Sequence, residues 1–164
     1  AIFGQNGFTV QRITDMTASP SAITPERLES ERWKPRDLPG HIGQIGPMWT
    51  RKEPDGWAYG LLCDAKHLNP ARVMHGGVTA SLLDHAISAV AWEACGRQPC
   101  LTVQLDTHFL APVAEGQFAE VRVKINNRSR SLMFLYGEMT VNGTLAATAQ
   151  AVMKVMAVPV AGSV

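Results

Sequence analysis

The stretch Asn69-Pro-Ala-Arg-Val-Met-His-Gly-Gly-Val-Thr-Ala-Ser-Leu-Leu-Asp84 decides how the chain is read. Two glycines follow a histidine, and the segment they open, Val78 to Trp92, contains one formal charge, Asp84. Leu, Ala, Ile and Val recur on every side of that segment, and a helix apolar all round belongs in an interior. A carboxylate inside such a helix is costly unless it is partnered or neutralised. Asp84 follows Gly77 by seven residues, two turns along one face. That face reads Gly77, Ala80, Ser81, Asp84, Ser88 and Ala91, a shallow strip of small side chains flanking one acid. The opposite face, Val78, Leu82, Leu83, Ala86, Ala89 and Val90, is expected to be core. Two readings of the strip stand at this point: an acid held for chemistry, or an acid satisfied by a hydrogen bond or a packed second helix.

Upstream, Gly4, Gly7, Pro20, Pro25, Pro35, Pro39 and Gly40 break up the first 40 residues. Within them Thr24-Pro-Glu-Arg-Leu-Glu-Ser-Glu-Arg-Trp33 predicts a short helix, with Thr24 as N-cap, Pro25 at its first position and Glu26 near the positive end. Trp33 is expected to anchor this extension on the surface or across a neighbouring subunit. Strands follow over Ile45–Lys52 and Gly56–Ala65, turned by Pro54-Asp55-Gly56. After the helix, which Gly96 is placed to end, four more runs read as strands: Leu101–Ala111, Gln117–Asn126, Leu132–Val141 and Leu145–Met156. Alternation is clearest from Ala119 to Ile125, and Asn142-Gly143 is a strong two-residue hairpin signal. The expectation is an α+β fold in which a long central helix is wrapped by a mainly antiparallel sheet of about six strands. Residues 1–40 form an extension, partly irregular with a short helix, 41–157 the domain, and 158–164 a tail.

Composition bounds the rest. A chain of 164 residues suits one domain, and 46% hydrophobic with 18% charged residues is ordinary for a soluble globular protein. A net charge of +1 argues against a broad nucleic-acid surface. Cys63, Cys95 and Cys100 show no metal spacing and predict reduced thiols, with the cytoplasm as the expected location. No signal peptide or membrane span is visible in the sequence.

These residues resemble the hotdog-fold thioesterases, particularly the phenylacetate-pathway PaaI-like group and thioesterase superfamily member 2. The resemblance covers roughly residues 40 to 157. It rests on Asn69 six positions before His75-Gly76-Gly77, Asp84 nine after His75, and the strand Leu101-Thr-Val-Gln-Leu-Asp-Thr-His-Phe-Leu-Ala-Pro112. It implies hydrolysis of acyl-CoA or aryl-CoA thioesters, with no metal, no redox cofactor, and coenzyme A as part of the substrate. Asp84 matches the catalytic carboxylate, as nucleophile or general base. Gly77 matches the residue whose backbone N–H polarises the carbonyl. Asn69 matches a positioning amide, Thr102 a hydroxyl that helps hold water, and His75 a residue that orients the loop or bonds the thioester. Gly76 and Ser81 are expected to contact substrate. Arg72, Arg128 and Arg130, with Lys66, are the candidate cations for the CoA phosphates. Met74, Leu83 or Phe109 are candidates to set the length of the acyl pocket.

Spacing adds that seven helical residues span about 10 Å, whereas an attacking atom must come within roughly 3–3.5 Å of its carbon. Gly77 of one protomer and Asp84 of another therefore share a site, and a homodimer follows, with a tetramer as the next assembly. Three rival readings remain: a non-catalytic acyl-CoA-binding protein on the same fold, a hotdog dehydratase, whose different local motif is not found here, and a structural dimer whose Asp84 is satisfied in an interface.

Overall fold

The computed structural model of the protein describes residues 23–156; the start of the extension and the tail at 158–164 lie outside the described residues. In order the elements are α1 (Pro25–Ser30), β1 (Lys34–Arg36), α2 (Gly40–Ile45), β2 (Met48–Glu53), β3 (Gly56–Leu62), α3 (Gly76–Ala94), β4 (Cys100–Phe109), β5 (Phe118–Arg128), β6 (Leu132–Val141) and β7 (Thr144–Val155). The strands form one sheet, ordered β1-β2-β3-β5-β6-β7-β4 and antiparallel throughout.

Local signals behave as their chemistry dictates. Thr24 caps α1, its side chain accepting from the Arg27 N–H. Gly96 ends the long helix with φ +69°, and Asn142-Gly143 turns the last hairpin with φ of 50° and 78°. The sheet has seven strands instead of about six. The added one, β1, is three exposed residues around Pro35. A proline cannot donate to a ladder and sits at an edge, so such a segment gives almost no strand signal. α2 is a second difference: the strand expected from Ile45 begins at Met48. Two glycines in six residues make a weak helix former, and α2 is held by its surroundings. The His67 imidazole is buried, its Nδ1 accepting from the Asp64 N–H at 2.9 Å and its Nε2 donating to the Ile45 carbonyl at 2.7 Å. Lys66 Nζ donates to the Gly46 carbonyl at 2.6 Å.

The core lies between α3 and the concave face of the sheet. Thr79, Leu82, Leu83, Ala86, Ile87 and Ala91 are the buried face of α3. Ala91, expected on the strip beside Asp84, is fully buried instead. A seven-residue step falls about 20° short of two full turns, enough to carry Ala91 round into the core. Val78, Ala89 and Val90, expected as core, are only half-buried. α3 is thus not enclosed all round in the single chain: Ser81, Asp84, His85 and Ser88 form a half-open strip.

On the other face of the sheet Leu28, Trp33, Trp49, Ala58 and Phe118 make a second, smaller cluster under α1. Trp33 is 1% exposed, meets Phe118 edge-on at 4.8 Å, and lies under the Arg51 guanidinium at 4.4 Å. Trp33 therefore anchors the extension on its own sheet. Trp33→Ala is expected to cost about 3–5 kcal/mol by urea unfolding, the usual range for emptying a large aromatic site; a loss below about 1 kcal/mol would mean the cluster collapses without it.

Candidate functional site

His75 is the N-cap of α3, and its Nδ1 accepts from the Gly77 N–H at 2.9 Å. The amide that the sequence assigned to a thioester carbonyl is therefore already taken in this chain by its own N-cap. Gly76, the first helical residue, has no intrahelical acceptor for its N–H, and no partner for it occurs among the described residues. Gly76 also lines a cavity of about 350 Å³ together with Asn69, Met74 and Phe109, whereas Gly77 is exposed. In this chain the His75 N-cap holds the Gly77 amide and leaves the Gly76 amide without a partner among the described residues.

Asn69 is bound into the turn before the helix. Its Oδ1 accepts from the Ala71 N–H at 2.9 Å and the Val73 N–H at 3.3 Å. With the oxygen committed, the side-chain NH₂ is the group left to act, and it can only donate. Asn69 and Gly76 both line the same cavity.

Asp84 lies elsewhere. Thr102 Oγ1, on β4, donates to Asp84 Oδ1 at 2.8 Å. The second carboxylate oxygen has no partner among the described residues. Eight helical residues separate Asp84 from Gly76, about 12 Å, so the carboxylate and the donor cavity of one chain do not meet. β4 is the last strand of the sheet, bonded only to β7. Its neighbourhood exposes large apolar groups: Leu101 at 56%, Val103 at 62%, Phe109 at 58% and Leu110 at 56%.

The other expected contacts are redistributed. Ser81 Oγ donates to the Gly77 carbonyl at 2.8 Å and lies 2.9 Å from His41 Nε2 of α2, so its hydroxyl is already engaged. Arg128 Nη1 donates to the Ala94 carbonyl at 2.6 Å, capping the C-terminus of α3. Arg72 pairs with Glu115 at 3.1 Å, and Lys66 serves α2 as above. Arg130 has no ion-pair partner among the described residues. Arg72 and Lys66 lie before the start of α3 and Arg128 at its end, so the four cations form no single patch in one chain. Of the proposed length-setting residues, Met74 and Phe109 line the donor cavity, while Leu83 is buried in the core. His41 was missed by sequence reading: it lies in a helix that periodicity does not reveal.

Residues 71–147 match the thioesterase superfamily family model. A Bacillus halodurans protein solved with CoA is similar in structure, at TM-score 0.65 and 21% identity over 80% of this chain and 86% of that one. Zebra fish thioesterase superfamily member 2 is similar at TM-score 0.66 and 20% identity, over 74% of this chain and 89% of that one. A mutant of phenylacetic acid degradation protein PaaI from Thermus thermophilus is similar at TM-score 0.61 and 22% identity, over 70% of this chain and 97% of that one. No curated protein matches the chain. With its central helix and antiparallel sheet, the chain has the hotdog fold, and its segment 71–147 is similar to the thioesterase superfamily. No helix among the described residues is long and apolar enough to cross a membrane.

Proposed function

We propose that the protein hydrolyses acyl-CoA or aryl-CoA thioesters to the free acid and CoA, as a homodimer with two shared sites. The observation that carries this is the Asp84 carboxylate, held through one oxygen by Thr102 and open at the other, beside an unpaired apolar strand edge. An exposed hydrophobic edge strand invites a second strand, and a second copy docked there brings its own Gly76–Asn69 cavity to Asp84.

Asp84 is the general base. It takes a proton from water as the water oxygen attacks the thioester carbon, and the Gly76 N–H and Asn69 NH₂ donate to the developing oxyanion. Collapse of the tetrahedral intermediate breaks the C–S bond, and the CoA thiolate leaves with the proton returned from Asp84. The Thr102 hydroxyl, donating to Asp84, still accepts from that water and sets it against the free carboxylate oxygen. His75 orients the loop by capping Gly77. Arg130 is the cation freest to meet CoA phosphate. The step as written calls for no metal or redox cofactor. Cys63, Cys95 and Cys100 are free thiols.

The test is thiol release from a panel of short, medium and aryl CoA esters. Turnover on one class supports hydrolysis and begins to define the acyl group. CoA esters that bind without being cleaved would instead make this a non-catalytic acyl-CoA-binding protein.

A further inference from the structure

A second cavity, of about 340 Å³, lies on the other flank of α3. His85, Ala89 and Trp92 form its helical wall, and Trp57, Tyr59 and Arg36 come from β1 and β3. The spacing of four and then three residues puts the helical set on one face, turned from Asp84, which faces Thr102 on β4. β1 and β4 are the two ends of the sheet, so the strand wall of this cavity lies away from the Asp84–Thr102 pair, while its helical wall begins beside Asp84 at His85.

Its polar groups are unspent. Tyr59 is 6% exposed, and its hydroxyl has no hydrogen-bond partner among the described residues. Burial, with the charge of Glu93, pushes the Tyr59 phenol up to about 12, so it is a standing donor at neutral pH. The His85 ring meets Tyr59 edge-on at 6.0 Å, and burial lowers its pKa, leaving a neutral imidazole. Arg36 Nε donates to Thr50 Oγ1 at 3.1 Å, which fixes the guanidinium, and no carboxylate pairs with it among the described residues. Glu93, the one acid on the rim, is already paired with Arg97 at 3.4 Å. Lys52 lies over Trp57 at 5.2 Å. Arg36 is the cation of the lining, and Trp57, Tyr59 and Trp92 give it flat aromatic walls.

We propose that this cavity binds a planar aromatic carboxylate, with its ring against Trp57 and Trp92 and its carboxylate on the Arg36 fork. Aromatic walls favour a flat ring over a saturated one, and a guanidinium with free terminal nitrogens matches a carboxylate bidentately. The volume suits one small organic ligand. The site is independent of thioester hydrolysis and stands whether or not that reaction is the protein's own.

Calorimetric titration of the full chain with naphthalene-2-carboxylate, naphthalene-2-methanol and cyclohexanecarboxylate tests this. The aromatic acid is expected to bind once per chain and at least tenfold more tightly than either other compound. Arg36→Gln should weaken the acid at least tenfold, leave the alcohol unchanged and leave thiol release untouched. Trp92→Ala, at a position 42% exposed and so safe for folding, should weaken both aromatic compounds. Asp84→Asn should change nothing in this titration. Equal binding of the acid by the Arg36→Gln protein, loss of binding in Asp84→Asn instead, or no heat up to millimolar ligand would each overturn the proposal.

Discussion

Asp84→Asn is expected to lower kcat on the best CoA ester by a factor on the order of 10³, with KM little changed. The substitution is nearly isosteric and keeps Oδ1, so Thr102 retains its acceptor at the 2.8 Å contact. What disappears is the basicity of the second oxygen, the one with no partner among the described residues. Asp84 is half-exposed, so no deeply buried charge is being neutralised and the thermal midpoint should move by only a few degrees. This separates the catalytic reading from the structural one. An acid kept to satisfy an interface would show the reverse pattern, a large loss of stability or of the dimer and no selective loss of turnover. Thr102→Val is the graded companion. It removes the hydroxyl without changing side-chain shape, leaves the carboxylate in place but unoriented, and should cost about 10- to 100-fold. If Asp84→Asn turns over CoA esters as fast as the parent, the general-base assignment is wrong.

The residues that carry the fold were readable because their signals are local. An almost uncharged helix opened by His75-Gly76-Gly77, the Asn142-Gly143 turn and the alternation in β5 each contain their own explanation. β1 and α2 were not readable for the opposite reason. Lys34-Pro35-Arg36 pairs with β2 because Leu28 of α1 and Trp33 are buried in the cluster beside it, and Gly40–Ile45 is helical because His67 and Lys66 hold its end. Neither cause lies in the segment itself. The site divides in the same way. The offset of Asp84 from the glycines was legible, whereas the hydrogen bond by which His75 folds back onto the Gly77 amide was not. The arginines illustrate the limit of charge as a signal: nothing in the sequence shows that Arg128 Nη1 donates to the Ala94 carbonyl at the end of α3.

Mixing two inactive variants should restore activity. Asn69→Asp keeps the Oδ1 that binds the Ala71 and Val73 amides but replaces the NH₂ donor with a second acceptor. It should fold normally and lose roughly 100-fold or more in kcat, as expected for removing one oxyanion donor. Asp84→Asn is inactive at the other end of the helix, about 12 Å away. If each site takes its carboxylate from one protomer and its donors from the other, a mixed dimer has one site with both defects and one with neither. Unbiased exchange makes half the dimers mixed, so the mixture should recover about one quarter of parental activity. Sites completed within single chains predict no recovery, because every chain then carries its own defect. The geometry favours the first outcome, because the Asp84–Thr102 pair lies at the β4 edge while the Asn69–Gly76 cavity lies at the start of α3. The exposed Leu101 and Val103 on that edge are where a second strand has most apolar surface to cover. Recovery also requires exchange of protomers, so it reports the dimer and the shared chemistry in a single assay. Absence of recovery in a mixture shown by mass to contain mixed dimers would return the whole site to one chain.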